Sequence, residues 1–424
     1  MPIPMVPPGR REEISPYLAA FTNFETQRSL PTDRRQLGPH RAERLLAAAG
    51  LESPPATVIQ VAGSKGKGST VLWLEGLLRE RGLRPGAYLS PHVEEITERI
   101  RIDGRDSTYE DLLAGLAFLH PFVCEIERTT PDLAPTFFDL WTALAAWTFR
   151  EHGCTHALYE VGLGGPLDST TAVPHALGVL TTIDLEHRLQ LGPTEEAIAR
   201  EKARIARAGR PFVIAAARTA PGAAAAEVAR ARGARVLAVG DDPRPALVGL
   251  EAPQTQNLTV ALCALEQGLE LHAYSVPELE AVVRNVRLPA RLEVIPGPPP
   301  LLLDCAHTIR SLVLFRDAFE RWRGAGPGAI LVAFLAEKEW ALALSHFPPM
   351  PHVEWIVTTP NPQRRQDPTP VAEALRRLSP SVTVEEDCAA AIAELRRRAT
   401  AGVRCGATGS VYLAGFVRRA WRGE

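Results

Sequence analysis

Short runs of apolar and β-branched residues alternate along the chain with longer stretches in which apolar residues return every three or four positions. TVIQVAG at 57–63 leads into STVLWLEGLLRERG, where Val71, Leu74, Leu77 and Leu78 share one face until Gly82, which predicts a buried strand followed by a helix. GAYLS, THALYEVG and ALGVLTTID read as further buried strands, and RPFVIAA and ARVLAVG as two more around a helix centred on AAAAEVARARG. QTQNLTVALCALEQGLEL reads as one long apolar-striped helix closing a first domain near Pro289. ARLEVIPGPPPLLLDCAH predicts two strands joined by a proline- and glycine-rich turn, and GAILVAFL, EWIVTT and VRCGATGS continue the alternation. The expected fold class is α/β. A mostly parallel sheet wrapped by helices is expected over 1–289, and a smaller, Rossmann-like, doubly wound α/β domain over 290–424. There is no internal repeat and no low-complexity tract.

Composition narrows this picture without changing it. A chain of 424 residues exceeds one ordinary core, which agrees with two domains. Its 46% apolar content suits a soluble globular protein, and no apolar run approaches the ~18–20 residues of a membrane span. The start, MPIPMVPPGRREE, lacks the apolar segment of a secretory signal and is expected to be a loose end. Cysteines at 124, 154, 263, 305, 388 and 405 form no C-x-x-C pair, a pattern of reduced cytoplasmic thiols rather than of disulfides or zinc. A net charge of −2 gives no nucleic-acid footprint, and Arg396–Arg398 reads as the wet face of a helix.

Candidate chemistry gathers at predicted strand ends, where ligands of open parallel sheets bind. VIQVAGSKGKGST looks like a phosphate loop, yet G-x-x-x-x-G-K-[ST] does not fit it, because Gly68 separates Lys67 from Ser69. Gly63, Ser64, Lys65, Gly66, Lys67, Gly68, Ser69 and Thr70 would form the cradle, with Lys67 on a β/γ-phosphate and Ser69 offering its oxygen to Mg²⁺. The plainer alternative is a tight glycine turn with no ligand. Ser90 and His92 follow AYL, Glu160 ends HALY before VGLGG, His187 lies past LTTI, and Asp304 and His307 follow LLL. Glu160 suits a hard cation or is a solvent-facing charge, and a loop histidine such as His187 is by itself usually a surface residue. In PTEEAIAREKARIAR, Thr194 is a plausible helix cap, and Lys202 shares an inward stripe with Ile198 and Ile205. Two readings stand for Lys202: a lysine running its stem to the rim, or a buried amine with a lowered pKa that takes up CO₂ as a carbamate.

Taken together the motifs resemble the folylpolyglutamate synthase/dihydrofolate synthase family of the Mur ligase superfamily. GSKGKGST is similar to its loop, LSPHVEEITERIRIDG to its S-P-H…E-R-I segment, and TFFDLWTALAAWTF to its T-x-F-E…T-A-L-A helix. EVGLGGPLDSTT, DLEHRLQLG, REKARIAR, QTQN, LLLDCAH and GATGSVYLAGFVRR follow in the family's order, so the resemblance runs from about residue 15 to the end. It implies a Mur-ligase-like P-loop ATPase domain and ATP-dependent amide formation. A carboxylate is phosphorylated to an acyl phosphate, which an amino acid's amine then attacks. The resemblance implies that Lys67 and the loop hold the triphosphate. Ser69 and Glu160 would bind one Mg²⁺, and Glu160 with His187 and Ser90 a second. A carbamylated Lys202 would orient the metal region, Arg291 at the domain junction would reach the γ-phosphate on closure, and Asn257, Asp304 and His307 would contact adenine and ribose. The partners it implies are a pteroate or folate acid and L-glutamate, handled by a cytoplasmic monomer with no nucleic acid and no membrane.

Departures from the family pattern cluster in loops. Pro166 replaces the arginine of G-G-R, Thr171 the asparagine of A-T-N, and Cys305 and Thr308 stand in D-G-A-H-N as Asp304-Cys305-Ala306-His307-Thr308. Arg204 and Ala290 replace glycines, and N-E-R becomes Thr97-Glu98-Arg99. Losing an arginine removes a planar five-donor cation that could hold a carboxylate or phosphate. Two rivals to a folate ligase therefore stand: the same chemistry on another acid in specialised metabolism, and a catalytically silent nucleotide-binding paralogue.

Overall fold

The computed structural model describes residues 4–23, 38–54, 56–335, 340–360 and 366–423. Its contacts divide the chain into two compact units, Met1–Ser90 with Thr97–Arg287, and Pro91–Ile96 with Leu288–Glu424.

The strands of the first unit are β1 (Thr57–Ala62), β2 (Pro85–Tyr88), β3 (Ile100–Ile102), β4 (Arg105–Asp106), β5 (His156–Glu160), β6 (Leu177–Leu180), β7 (Pro211–Ile214) and β8 (Arg235–Ala238). They form one eight-stranded sheet in the order β4-β3-β2-β5-β1-β6-β7-β8. All pairings are parallel except β2 with β3 and β3 with β4. Asp103 and Gly104 close the β3–β4 hairpin, both in the left-handed region that a two-residue hairpin turn requires. β1 is central and buried along all but its first residue, as an apolar run covered on both faces should be. Its register sets Val61 opposite Glu160 and Ala62 opposite Leu180, and Tyr88 of β2 lies opposite Tyr159. The segments that leave β1, β2, β5 and β6 therefore emerge along one edge of the sheet.

In the second unit β9 (Glu293–Ile295), β10 (Leu301–Leu303), β11 (Gly328–Val332), β12 (Val353–Val357), β13 (Val382–Val384) and β14 (Arg404–Thr408) give the order β13-β12-β11-β14-β10-β9. Only β9 runs antiparallel, paired with β10. Strand alternation feeds two separate cores. Leu301, Leu303 and Leu331 pack with Leu413 and Val417 on one face, and Leu302, Ile330 and Val332 with Phe315 and Phe319 on the other. This is the doubly wound arrangement.

Four details differ from the pattern reading. Residues 91–96 belong with the second unit, because Val93 and Glu94 pack on the C-terminal helix Val411–Arg422. The helix from Gln254 is regular only to Cys263 and ends in a π turn, Ala264–Gly268, where Gly268 lies hard against Leu177 of β6. The helix carrying Lys202 ends at Ala203, so Ile205 is buried from the turn beyond it. The N-terminal stretch is packed from Arg11 onward: a helix over Arg11–Leu18 buries Ile14, Tyr17 and Leu18, and Tyr17 Oη lies 3.0 Å from His120 Nδ1. All six cysteines are free, and no helix among the described residues is long and apolar enough to cross a membrane.

The T-F-F-D stretch opens the helix Phe137–Glu151 as a capping box. The Thr136 amide donates to Asp139 Oδ2 at 2.8 Å, and the Asp139 amide donates back to the threonine hydroxyl. Thr136→Ala removes that cap, and denaturant unfolding is expected to show a loss of about 1–2 kcal/mol in the first unit.

Candidate active site

The loop after β1 is shaped by two close approaches. Gly63 (φ 147°) lies so near Thr181 that a Cβ would collide with its hydroxyl. Gly66 (φ 85°) caps the helix Lys67–Glu80 in the left-handed region, with Asn257 Oδ1 where a Cβ would point. Asn257 is fixed in turn, its amide donating to Gln254 Oε1 at 3.2 Å, which also accepts from Trp73 Nε1. The segment after β6 holds the loop from the other side. The amides of Ser64 and Lys65 donate to the Thr182 carbonyl at 2.8 and 3.3 Å. The hydroxyls of Thr181 and Thr182 donate to the Lys65 carbonyl at 2.7 and 3.0 Å. Ser64 Oγ donates to the Asp184 carbonyl at 3.1 Å.

Behind the loop is a buried ion pair. Lys202, 2% exposed, places Nζ 3.1 Å from Glu186 Oε1 and donates to the Gly63 carbonyl at 2.9 Å. The lysine is buried and its stem does not run to the rim. Burial pulls its pKa down to about 8 even though Glu186 pulls the other way, and Lys67 and Lys65 add to the depression. Burial alone would raise the Glu186 carboxyl, but Lys202, Lys67, Lys65 and His187 together hold it well below the usual carboxylate range. Lys65 Nζ lies 3.8 Å from the other Glu186 oxygen. Lys67 Nζ folds back to the carbonyls of Gly63 at 3.0 Å and Ser64 at 3.3 Å.

Glu160, at the end of β5, is buried and faces the first turn of the loop helix. A Cβ on Gly68 would stand 3.4 Å from Glu160 Oε2, and that oxygen accepts the Ser90 amide at 3.0 Å. Ser69 and Thr70 follow Gly68 in the same turn, both buried, and the Thr70 hydroxyl has no hydrogen-bond partner among the described residues. A carboxylate beside a serine-bearing helix start fits a hard divalent cation, which needs only one or two protein oxygens when phosphate and water complete its shell. Among the described residues no three His, Cys, Asp or Glu side chains gather as a metal cluster of their own. His187, with φ 48°, starts the short helix Arg188–Leu191 and lies on the Glu186 side of the site.

Next to Glu160, the loop 161–172 is organised by Asp168. Its carboxylate accepts the Leu163 amide at 2.8 Å, the Thr170 amide at 3.0 Å and the Thr170 hydroxyl at 2.6 Å, while burial raises its pKa. Ser169 Oγ donates to Asp139 at 2.6 Å. Thr171 donates to the Asp168 carbonyl at 2.7 Å, so the residue standing for the family asparagine is occupied by its own turn.

Arg291, Asp304 and His307 lie in the second unit and group among themselves. Asp304 Oδ2 accepts the Leu292 amide at 2.7 Å, Arg291 donates to Cys305 Sγ, and His307 Nδ1 lies 2.9 Å from the Cys305 carbonyl. Thr308 opens the helix Ile309–Arg323, its amide donating to Ser311 Oγ at 3.0 Å. Pattern reading missed Glu186, Thr181 and Thr182. The signal for Glu186 was its place beside His187 in DLEH. Which acid of that tetrapeptide turns inward depends on the loop path, and Asp184 instead accepts its neighbour's amide, that of Leu185, at 2.9 Å.

A glycine loop between a central parallel strand and a helix, with a strand-end carboxylate against the helix start, defines a P-loop nucleotide-binding α/β protein. No family model matches the chain. A dihydrofolate synthase/folylpolyglutamate synthase of Bacillus subtilis is 31% identical over 324 residues, covering 68% of this chain and 74% of the relative. A Haloferax volcanii protein named a probable bifunctional folylpolyglutamate synthase/dihydropteroate synthase is 30% identical over 414 residues, 91% of this chain, which spans 48% of that longer protein. Among solved structures, the bifunctional folylpolyglutamate synthase/dihydrofolate synthase of Yersinia pestis complexed with AMPPNP and Mn ion gives a TM-score of 0.81 at 26% identity, covering 100% of both chains. Another bifunctional enzyme of that name, with Mn, AMPPNP and L-glutamate bound, gives 0.82 at 25% identity over 99% of this chain and 100% of its own. The chain belongs to the folylpolyglutamate synthase/dihydrofolate synthase family, whose members are ATP-dependent ligases.

The buried pair generates a stability prediction with a definite sign. Glu186→Gln leaves the Lys202 ammonium without its counter-charge and is expected to cost about 3–5 kcal/mol, most of it recovered by adding Lys202→Met. Because the folded lysine titrates near 8 and the free side chain at 10.5, the unfolded chain binds the extra proton between those values. Wild type should therefore gain stability relative to Lys202→Met as pH rises through that window, read by unfolding at fixed denaturant.

Proposed function

We propose that this chain is an ATP- and Mg²⁺-dependent ligase that joins the carboxylate of a pteroate or folate acid to the amine of L-glutamate through an acyl phosphate. The observation that carries the reading is the juxtaposition of Glu160 with the glycine loop at Gly68. It is supported by relatives named dihydrofolate synthase/folylpolyglutamate synthase and by a neighbour with Mn, AMPPNP and L-glutamate bound. A carboxylate is a poor electrophile, and phosphoryl transfer from bound ATP, with Mg²⁺ neutralising charge, supplies the leaving group.

The chain's own residues then have positional and electrostatic work. The amides of Gly66 to Ser69 and Lys67 cradle phosphate, the Lys67 ammonium exchanging its two loop carbonyls for the anion, while Gly63 to Lys65 and Thr70 shape the loop. Ser69 and Glu160, with Ser90 and His187, hold the cation region. Asn257 orients the base side, as the family resemblance assigns, and the same resemblance gives Arg291, Asp304 and His307 their roles toward the nucleotide. Lys202 fixes the loop from behind. With a pKa near 8, part of its amine is neutral at pH 7–8 and open to attack on CO₂. The N–C bond forms, the displaced proton leaves to solvent, and a carbamate results. The protein works in the cytoplasm as a monomer.

A second reading, the same chemistry on a different acid, is favoured by one observation. Pro166 brings no cation to the loop beside Glu160, and Thr171 is tied to its own turn.

Phosphate release with ATP, Mg²⁺ and a panel of acids and amines separates the readings. Turnover with dihydropteroate or folate plus glutamate is expected, turnover only with other pairs selects the second reading, and none with any pair rejects ligation. Lys67→Ala should lower kcat on the order of 10²–10³-fold. Lys202→Ala should lower turnover and be partly restored by bicarbonate or a short carboxylic acid. A wild-type rate in that variant would exclude the carbamate.

A further inference from the structure

Arg291 sits in a constrained turn of the second unit. Its neighbours Ala290 and Leu292 both have φ 52°, although neither is glycine. Residues stay in that region only where their surroundings dictate it. Here the Ala290 amide donates to Glu293 Oε2 at 2.9 Å, the Ala290 carbonyl accepts the Cys305 amide at 3.1 Å, and the Leu292 amide donates to Asp304. Glu293 does not hold the turn alone. Arg418, on the C-terminal helix, donates through Nε to both Glu293 oxygens, at 3.0 and 3.2 Å.

The other edge of the same guanidinium is bonded to Glu94. Glu94 belongs to residues 91–96, which the C-terminal helix grips at several points. Arg419 donates to the Glu94 carbonyl at 2.9 Å and to the Glu95 carboxylate at 3.2 Å, and Gly415 approaches the Val93 carbonyl so closely that a Cβ would collide. Glu94 follows Ser90 by four residues, and the Ser90 amide is the donor to Glu160. Arg418, Glu94 and Glu293 are 9%, 7% and 17% exposed in their side chains, so water screens this network little.

Resting on the ligase reading above, we propose that Arg418 is a positioning residue for the reaction: one buried guanidinium fixes the Arg291 turn through Glu293 and residues 91–96 through Glu94. A planar fork can bind two carboxylates at once along its two edges, and a lysine ammonium cannot span them in that geometry. Removing Arg418 takes the cation from buried Glu293 and leaves Glu94 the longer contact with the more exposed Arg422, at 3.4 Å, which loosens both segments.

The test compares Arg418→Met, Arg418→Lys and Glu293→Gln with wild type by hydrogen exchange and by kinetics. In Arg418→Met, amides in peptides covering 91–96 and 289–293 should exchange at least about tenfold faster, whereas Glu293→Gln should release 289–293 alone. kcat should fall about tenfold to a hundredfold in Arg418→Met and in Arg418→Lys, while directly measured ATP affinity stays within about twofold. In an Arg291→Ala background Arg418→Met should add less than its full loss, because the arm through Glu293 acts only by way of Arg291. Unchanged exchange in either peptide of Arg418→Met, a wild-type rate in Arg418→Lys, or fully multiplicative losses would each overturn the proposal. If Arg418→Met does not fold, Glu94→Gln and Glu293→Gln decide it, each expected to free its own peptide. A wild type that turns over no acid tells against ligation, while the exchange arm still decides the role of Arg418.

Discussion

The glycine loop of the first unit depends on one buried charge pair. Lys202 and Glu186 sit where neither would be tolerated singly, and the ammonium spends a hydrogen bond on the Gly63 carbonyl, the first residue of the loop. That bond, with the Ser64 and Lys65 amides held on the Thr182 carbonyl, fixes the path of the loop into the helix that begins at Lys67. Lys65 joins the same carboxylate and Lys67 crosses back over Gly63 and Ser64, so three lysines share one neighbourhood that only Glu186 and the loop carbonyls make acceptable. A phosphate arriving there would meet positive charge already gathered, with Lys67 needing only to turn from its two loop carbonyls.

Two stretches that carry the family resemblance are local architecture in the structure. T-F-F-D is a helix cap whose aspartate also takes a hydrogen bond from Ser169 of the glycine-rich loop after β5, so two motifs far apart in sequence meet in one small network. Asp168 does similar work inside that loop. These carboxylates are buried and raised in pKa, yet every oxygen is engaged by amides and hydroxyls of its own or a neighbouring turn. Their service to the site is shape.

The order of strands and helices was legible because buried parallel strands leave unbroken apolar runs, as in TVIQVA, and because glycines such as Gly82 stop helices visibly. The glycine loop followed from spacing, which for Lys202 gave an inward stripe but left a rim-running stem and a buried amine both open. Two kinds of fact did not follow from it. The partner of Lys202 depends on how four residues of loop turn, and nothing in D-L-E-H states that the glutamate rather than the aspartate faces inward. The attachment of 91–96 to the second unit depends on pairings across more than three hundred residues, Glu94 with Arg418 and Arg419, which no local periodicity carries. The π turn after Cys263 likewise answers to a neighbour, Leu177, that lies far off in sequence.

The contact between Gly63 and Thr181 constrains how this protein can drift over generations. Any side chain at 63 would displace the threonine hydroxyl, which also bonds the Lys65 carbonyl, and any bulkier residue at 181 would push into the glycine. Gly63 is doubly fixed, since its φ of 147° strains any side chain even where 181 makes room, while 181 can still change to a residue that keeps the hydroxyl without added bulk. Lineages carrying this loop should therefore hold the glycine strictly and vary 181 between threonine and serine.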